Sequence, residues 1–193
     1  MKRAMIVAAV GAVAALPVKG EERRELGAHE HGHSVLNIAI EGDRIEMELI
    51  SPGMDIVGFE HAAGTDAQKA AVEDAEATLA DPLALFVLPA EAGCVLETAA
   101  VELEAEDEHA DEDEHTDEDQ HAEHEGEEEG HTEFHVEYAI TCASPDNLGG
   151  ITFAFFEQFP SAEEIDVTVI TENGQTRYEV ERDAPRIDLK GLI

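Results

Sequence analysis

The chain has 193 residues and carries 46 acidic against 11 basic side chains, a formal charge of −35. Such a charge repels phosphate instead of releasing counterions from it, which makes nucleic acid and anionic lipid poor partners and favours small cations. It holds ten histidines, two cysteines and no tryptophan.

Taken in chain order, the first segment is Met1-Lys-Arg followed by small and apolar residues from Ala4 to Leu16 and then Pro17 to Gly20. A basic start, a short apolar middle and small residues before a cut form the layout of a secretory signal peptide. We assign residues 1–20 to it, with cleavage near Gly20 or, alternatively, Ala15. The apolar run is too short to span a bilayer, so no membrane insertion after processing is expected. Residues 21–193 then form a single domain, interrupted by a flexible insertion at 104–132.

His29, His31 and His33 follow as His-Glu-His-Gly-His. Extended residues two apart point the same way, roughly 6.5 Å between alpha carbons. Two imidazoles so placed can lean onto one ion through metal–nitrogen bonds of about 2.0–2.1 Å. A solvated polar arm is the plain alternative.

Ser34 to Ile40 and Arg44 to Ile50 alternate apolar and polar residues and are joined by Glu41-Gly-Asp, which predicts a hairpin. His61 stands alone after Gly58-Phe-Glu; beside an aromatic it is as readily a packed residue as a ligand. Asp66 to Leu79 reads as a helix, with Thr65 as N-cap and Gln68 completing a capping box. Leu83 to Leu88 is a short apolar run, either an edge strand or a helical turn.

Cys94 to Leu103 and Phe134 to Cys142 read as strands flanking the insertion. They pair naturally as a hairpin, with the insertion as its tip. An exported chain with two cysteines is expected to join them, so Cys94 and Cys142 form a predicted disulfide at the base of the stem. Two separate thiols are the alternative.

The insertion is nearly all carboxylate and imidazole and repeats with a period of six, His109-Ala-Asp-Glu-Asp-Glu then His115-Thr-Asp-Glu-Asp-Gln then His121. It lacks the large apolar side chains needed for a core. Six residues turn a helix through about 600°, which leaves neighbouring histidines on different faces, and span roughly 20 Å when extended. An ion shared between them must bend the chain at an entropic cost. Several weak, interchangeable sites follow, with His121 and His124, and His131 and His135, the pairs best spaced to cooperate. An acidic linker with incidental histidines is the alternative. Asp111-Glu-Asp and Asp117-Glu-Asp resemble the start of an EF-hand loop, but the central glycine and terminal glutamate of that loop are not both in place.

Beyond the insertion, Ile151 to Phe156 reads as a strand ended by Pro160. Ile165 to Thr171 and Thr176 to Arg182 flank Asn173-Gly174, a strong hairpin turn. The expected fold is therefore mainly β (α+β): an antiparallel sheet or sandwich of six to seven strands with one helix.

Imidazoles among carboxylates suit borderline divalent cations, and Zn²⁺ is the first choice, held as several ions of mixed affinity. Ligand histidines must be neutral, so binding should weaken as pH falls through about 6.5. The candidate metal ligands are His29, His31, His33, His61, His109, His115, His121, His124, His131 and His135. No nucleophile–base pair stands out, and no histidine spacing matches copper–zinc superoxide dismutase, so an enzyme is not expected. Copper or nickel sequestration is the alternative function, since His-x-His binds copper more tightly than zinc in general.

The segment His29-Glu-His-Gly-His-Ser-Val-Leu-Asn-Ile-Ala-Ile-Glu-Gly, followed by Glu48-Leu-Ile-Ser-Pro-Gly-Met-Asp-Ile-Val-Gly-Phe-Glu-His61, resembles the opening of the ZrgA-type periplasmic zinc-binding proteins. That family also has a His-rich acidic insertion in mid-chain and a closing half like Phe153-Ala-Phe-Phe-Glu-Gln-Phe-Pro. The resemblance implies zinc binding in the periplasm and a helper role beside a zinc ABC importer or its solute-binding protein. The amino-terminal histidines and His61 match by position; the insertion matches in character only.

Overall fold

The computed structural model describes residues 32–105 and 130–193. The signal segment, His29, His31, His109, His115, His121 and His124 lie outside the described residues.

The first hairpin forms as its alternation predicts. β1 (His33–Glu41) and β2 (Arg44–Pro52) pair antiparallel, and Leu36, Ile38, Ile40, Ile45, Met47 and Leu49 share the buried face. Pro52, which has no N–H to give a ladder, ends β2, and a short helix α1 (Gly53–Val57) follows at once. Gly53 is tightly enclosed there: a β-carbon would collide with Thr132 Oγ1 and lie 2.8 Å from the Phe59 carbonyl oxygen.

α2 (Asp66–Leu79) begins at the capping box of Thr65 and Gln68 and buries only Ala75 and Leu79. The apolar run after it divides into α3 (Pro82–Leu85) and β3 (Phe86–Val87). β4 (Cys94–Ala105) and β5 (Thr132–Cys142) then pair along their full length, from Cys94 opposite Cys142 to Ala105 opposite Thr132. The disulfide Cys94–Cys142 closes the base of this stem, and the histidine-rich stretch joins its other end.

The next run also divides, into β6 (Gly150–Phe153) and α4 (Phe155–Gln158). β7 (Glu164–Thr171) and β8 (Gly174–Glu181) form the hairpin expected from Asn173-Gly174, and β9 (Arg186–Asp188) ends the chain's regular structure.

The expected antiparallel sandwich with one helix is overturned. The described residues form a mixed α+β fold with four α-helices and two open sheets, of six strands in the order β4-β5-β2-β1-β7-β8 and of three in the order β3-β6-β9. The large sheet is not wholly antiparallel, because β1 pairs parallel with β7.

The sandwich fails because, among the described residues, nothing opposite the large sheet is long enough to be its second half. The runs at 83–88 and 151–156 are apolar without alternation, a pattern that suits a buried helical turn as well as a strand. Each adopts one of these and then the other, with Phe86, Phe153 and Phe155 packed together at ring separations of 5.6 and 5.9 Å from Phe86. Helices and small sheet together cover one face of the large sheet. Its other face carries Asn37, Glu46, Glu48, Glu137, Asp166 and Arg177 to solvent. No helix among the described residues is long and apolar enough to cross a membrane.

Candidate metal centre

The topology fixes where the histidine-bearing segments meet the fold. β1 and β5 are both antiparallel to β2, so they run the same way and begin at the same end of the sheet. His33 is the first residue of β1, His131 directly precedes β5, and His135 lies within it. β2 ends there too, which brings α1, Glu60 and His61 to that end. We term it the histidine end.

The four described histidines differ in setting. The His131 ring meets Glu60 Oε2 through Nδ1 at 2.8 Å, across 71 residues of sequence. His135, partly buried, has Nε2 at 2.9 Å from Glu133 Oε2 and 3.5 Å from Glu104 Oε2. His33 is exposed, with Nδ1 3.7 Å from Glu164 Oε1. A carboxylate behind an imidazole is the partner that fixes ring orientation in zinc sites.

His61 is different. It stacks on Phe59 at 5.2 Å, its Nδ1 lies 2.9 Å from the Ala62 carbonyl oxygen, and its Nε2 is 3.3 Å from Gln68 Nε2. A carbonyl can only accept, so Nδ1 donates and Nε2 accepts from the amide. That amide is itself held by the α2 capping box, where Gln68 Oε1 accepts from Thr65 N. An ion on His61 Nε2 has to displace Gln68.

Polar burial is also concentrated here. Ser34, Ser51, Asp55, Thr132 and Glu133 are the buried polar or charged residues among those described, and all five sit at the histidine end. The Ser34 and Ser51 hydroxyls are bonded at 2.8 Å, and Asp55 Oδ1 accepts the Gly32 N–H at 2.7 Å.

Among the described residues no group of three or more His, Cys, Asp or Glu side chains is placed to hold a metal ion. What the described part offers is paired imidazole and carboxylate groups at one end. The carboxylates Asp55, Glu60, Glu104, Glu133 and Glu164 were not singled out from the sequence. Only Glu133 left a signal, standing two residues from His135 and so on the same strand face; the others are distant in the chain.

The ZrgA family of zinc uptake proteins matches the chain over residues 28–189. The chain belongs to that family. None of the curated proteins compared with the chain matches it. Zinc uptake is a binding and transport role, so the reading of a ZrgA protein as a non-enzyme stands with the family.

Proposed function

We propose that this ZrgA protein captures Zn²⁺ in the periplasm and passes it to a zinc ABC importer, directly or through the importer's solute-binding protein. It acts as a buffer and accessory, not as a catalyst. The observation that carries this reading is the convergence of His33, His61, His131 and His135 on one end of the sheet, in a chain of the zinc uptake family.

In this reading residues 1–20 are removed on export, and 21–193 act as one zinc-binding domain. His29, His31 and His33 hold the tightest ion. His109, His115, His121, His124, His131 and His135 hold weaker, exchangeable ions, and His61 joins them only by releasing Gln68. The many carboxylates around these histidines in the sequence raise the local concentration of cations.

Native mass spectrometry with graded Zn²⁺ tests this on the intact mature protein and on a variant lacking residues 106–130. Most ions should vanish with the deletion, while at least one remains and is lost on replacing His29, His31 and His33 with alanine. Equal zinc uptake by the two proteins would overturn the buffering role. Competition with Cu²⁺ and Ni²⁺ in the same titration decides between zinc supply and copper or nickel sequestration.

A further inference from the structure

His61 stands as a ligating histidine stands, with an amide in the place of an ion. Its ring is exposed and lies against Phe59 at 5.2 Å, with 24° between the planes. Its Nδ1–H is donated to the Ala62 carbonyl at 2.9 Å, the kind of backbone acceptor that sits behind a zinc-bound imidazole. The lone pair is therefore on Nε2, and Gln68 Nε2 donates to it at 3.3 Å. Gln68 cannot face the other way. Its Oε1 accepts the N–H groups of Thr65 at 3.0 Å and Gly64 at 3.2 Å, and meets the Thr65 hydroxyl at 3.1 Å. Two backbone donors hold the oxygen on that side, which leaves the amide group for His61. One planar carboxamide thus joins His61 to the capping box of α2.

We propose that Gln68 is a place-holder which His61 exchanges for a metal ion, and that the exchange uncaps α2. This rests on the reading of His61 as a zinc ligand and goes beyond it, to what binding does to the fold. In the empty protein Gln68 positions the ring in the form a metal takes, with the proton on Nδ1 and the lone pair on Nε2. A zinc–nitrogen bond is about 2.0–2.1 Å long, so an ion on that lone pair overlaps the amide that now occupies it. The amide must leave. Because the carboxamide is rigid, Oε1 leaves Thr65 and Gly64 with it, whether the side chain swings out or turns over. The half of the capping box that serves the N-cap N–H is then lost. Empty and loaded proteins differ at the start of α2, and the lost bonds lower the affinity of His61, which keeps its ion exchangeable.

The test is two-dimensional NMR of the full mature protein during titration with Zn²⁺ buffered by a chelator. The signals followed are the His61 ring, the Gln68 side-chain amide, and the Gly64 and Thr65 backbone amides. As the ring responds, the other three should move with the same midpoint, and in His61→Ala none of the three should move. Gln68→Ala should bind Zn²⁺ at His61 about two- to ten-fold more tightly, the worth of one neutral hydrogen bond no longer broken. A glutamine with a purely structural role would give weaker binding on removal. Gln68→Glu keeps the box, since glutamate closes it equally well, and offers the ion a carboxylate oxygen. It should tighten binding while the Thr65 signal stays in place. A ring that takes Zn²⁺ while the Gln68 and Thr65 signals stand still overturns the proposal, and so does a folded Gln68→Ala protein that binds no more tightly. A ring that never responds to saturating Zn²⁺ removes the reading of His61 as a ligand and the proposal with it, and the ring signal tells the two failures apart. Should a variant fail to fold, the spectra of the unaltered protein still decide the matter.

Discussion

Tyr138 shows how one side chain joins the two layers of the fold. It lies on β5, is 3% exposed, and its hydroxyl donates to the Leu79 carbonyl at 2.8 Å. Leu79 is the last residue of α2, whose final carbonyls have no partner within the helix. Tyr138→Phe removes the donor and leaves that carbonyl buried, at an expected cost of about 1–2 kcal/mol in urea denaturation. Burial also pushes the phenol well above the ordinary tyrosine range. A group whose pKa is raised on folding contributes stability below its unfolded value, near 10 for tyrosine, and loses it as pH rises. Stability should therefore fall above about pH 10, and that component should be missing in Tyr138→Phe. A parallel alkaline decline in both proteins would show that the phenol is not responsible. Nothing in the sequence sets Tyr138 apart from the alternating Phe134, Val136 and Ile140 beside it, because its partner lies 59 residues away.

At the scale of elements, the stem of β4 and β5 is the clearest case of sequence dictating structure. β5 alternates, β4 begins and β5 ends in cysteine, and pairing puts Cys94 directly opposite Cys142. The bridge closes a loop of about 49 residues, worth roughly 4 kcal/mol in the chain-entropy model. Replacing both cysteines with serine should lower stability by up to that amount in urea, while zinc capacity stays the same because the paired strands still tether the histidine-rich stretch. Loss of zinc capacity in a protein that remains folded would show that the bridge shapes the metal sites. The segments with period-two alternation, 34–40, 44–50, 134–142, 165–171 and 176–182, all form strands, the last ending one residue short at Glu181. Leu83–Leu88 and Ile151–Phe156 have apolar residues without a period, and each became part helix and part strand. A continuous apolar run reports burial but not backbone conformation. The short α1 left no periodic trace because five residues make little more than one turn.

The molecule as a whole carries its negative charge into the folded body as well as into the histidine-rich stretch. Across the large sheet Glu48 faces Glu137, Glu104 faces Glu133, Asp166 faces Glu179 and Glu164 faces Glu181. Like charges directly opposite one another in a sheet destabilise it. Raising ionic strength from 0.01 to 0.15 M shortens the Debye length from about 30 to about 8 Å and screens these pairs. The Tm should rise by several degrees between those salt concentrations when divalent cations are absent. A Tm independent of salt would mean that the acidic pairs cost the fold nothing.

The amino-acid sequence by itself determined the chemistry: imidazole and carboxylate in excess, the strands that alternate, the paired cysteines and the family resemblance. These are local properties, written in neighbouring residues. Only the tertiary structure decided that β1 takes β7 as a parallel neighbour across more than a hundred residues, that helices close the core in place of a second large sheet, and that Asp55 reaches Gly32 while Glu60 reaches His131. Those contacts are made through space between segments with no shared local pattern, so they exist only once the hydrophobic face of the sheet has been buried and the chain ends at its edge have been brought together.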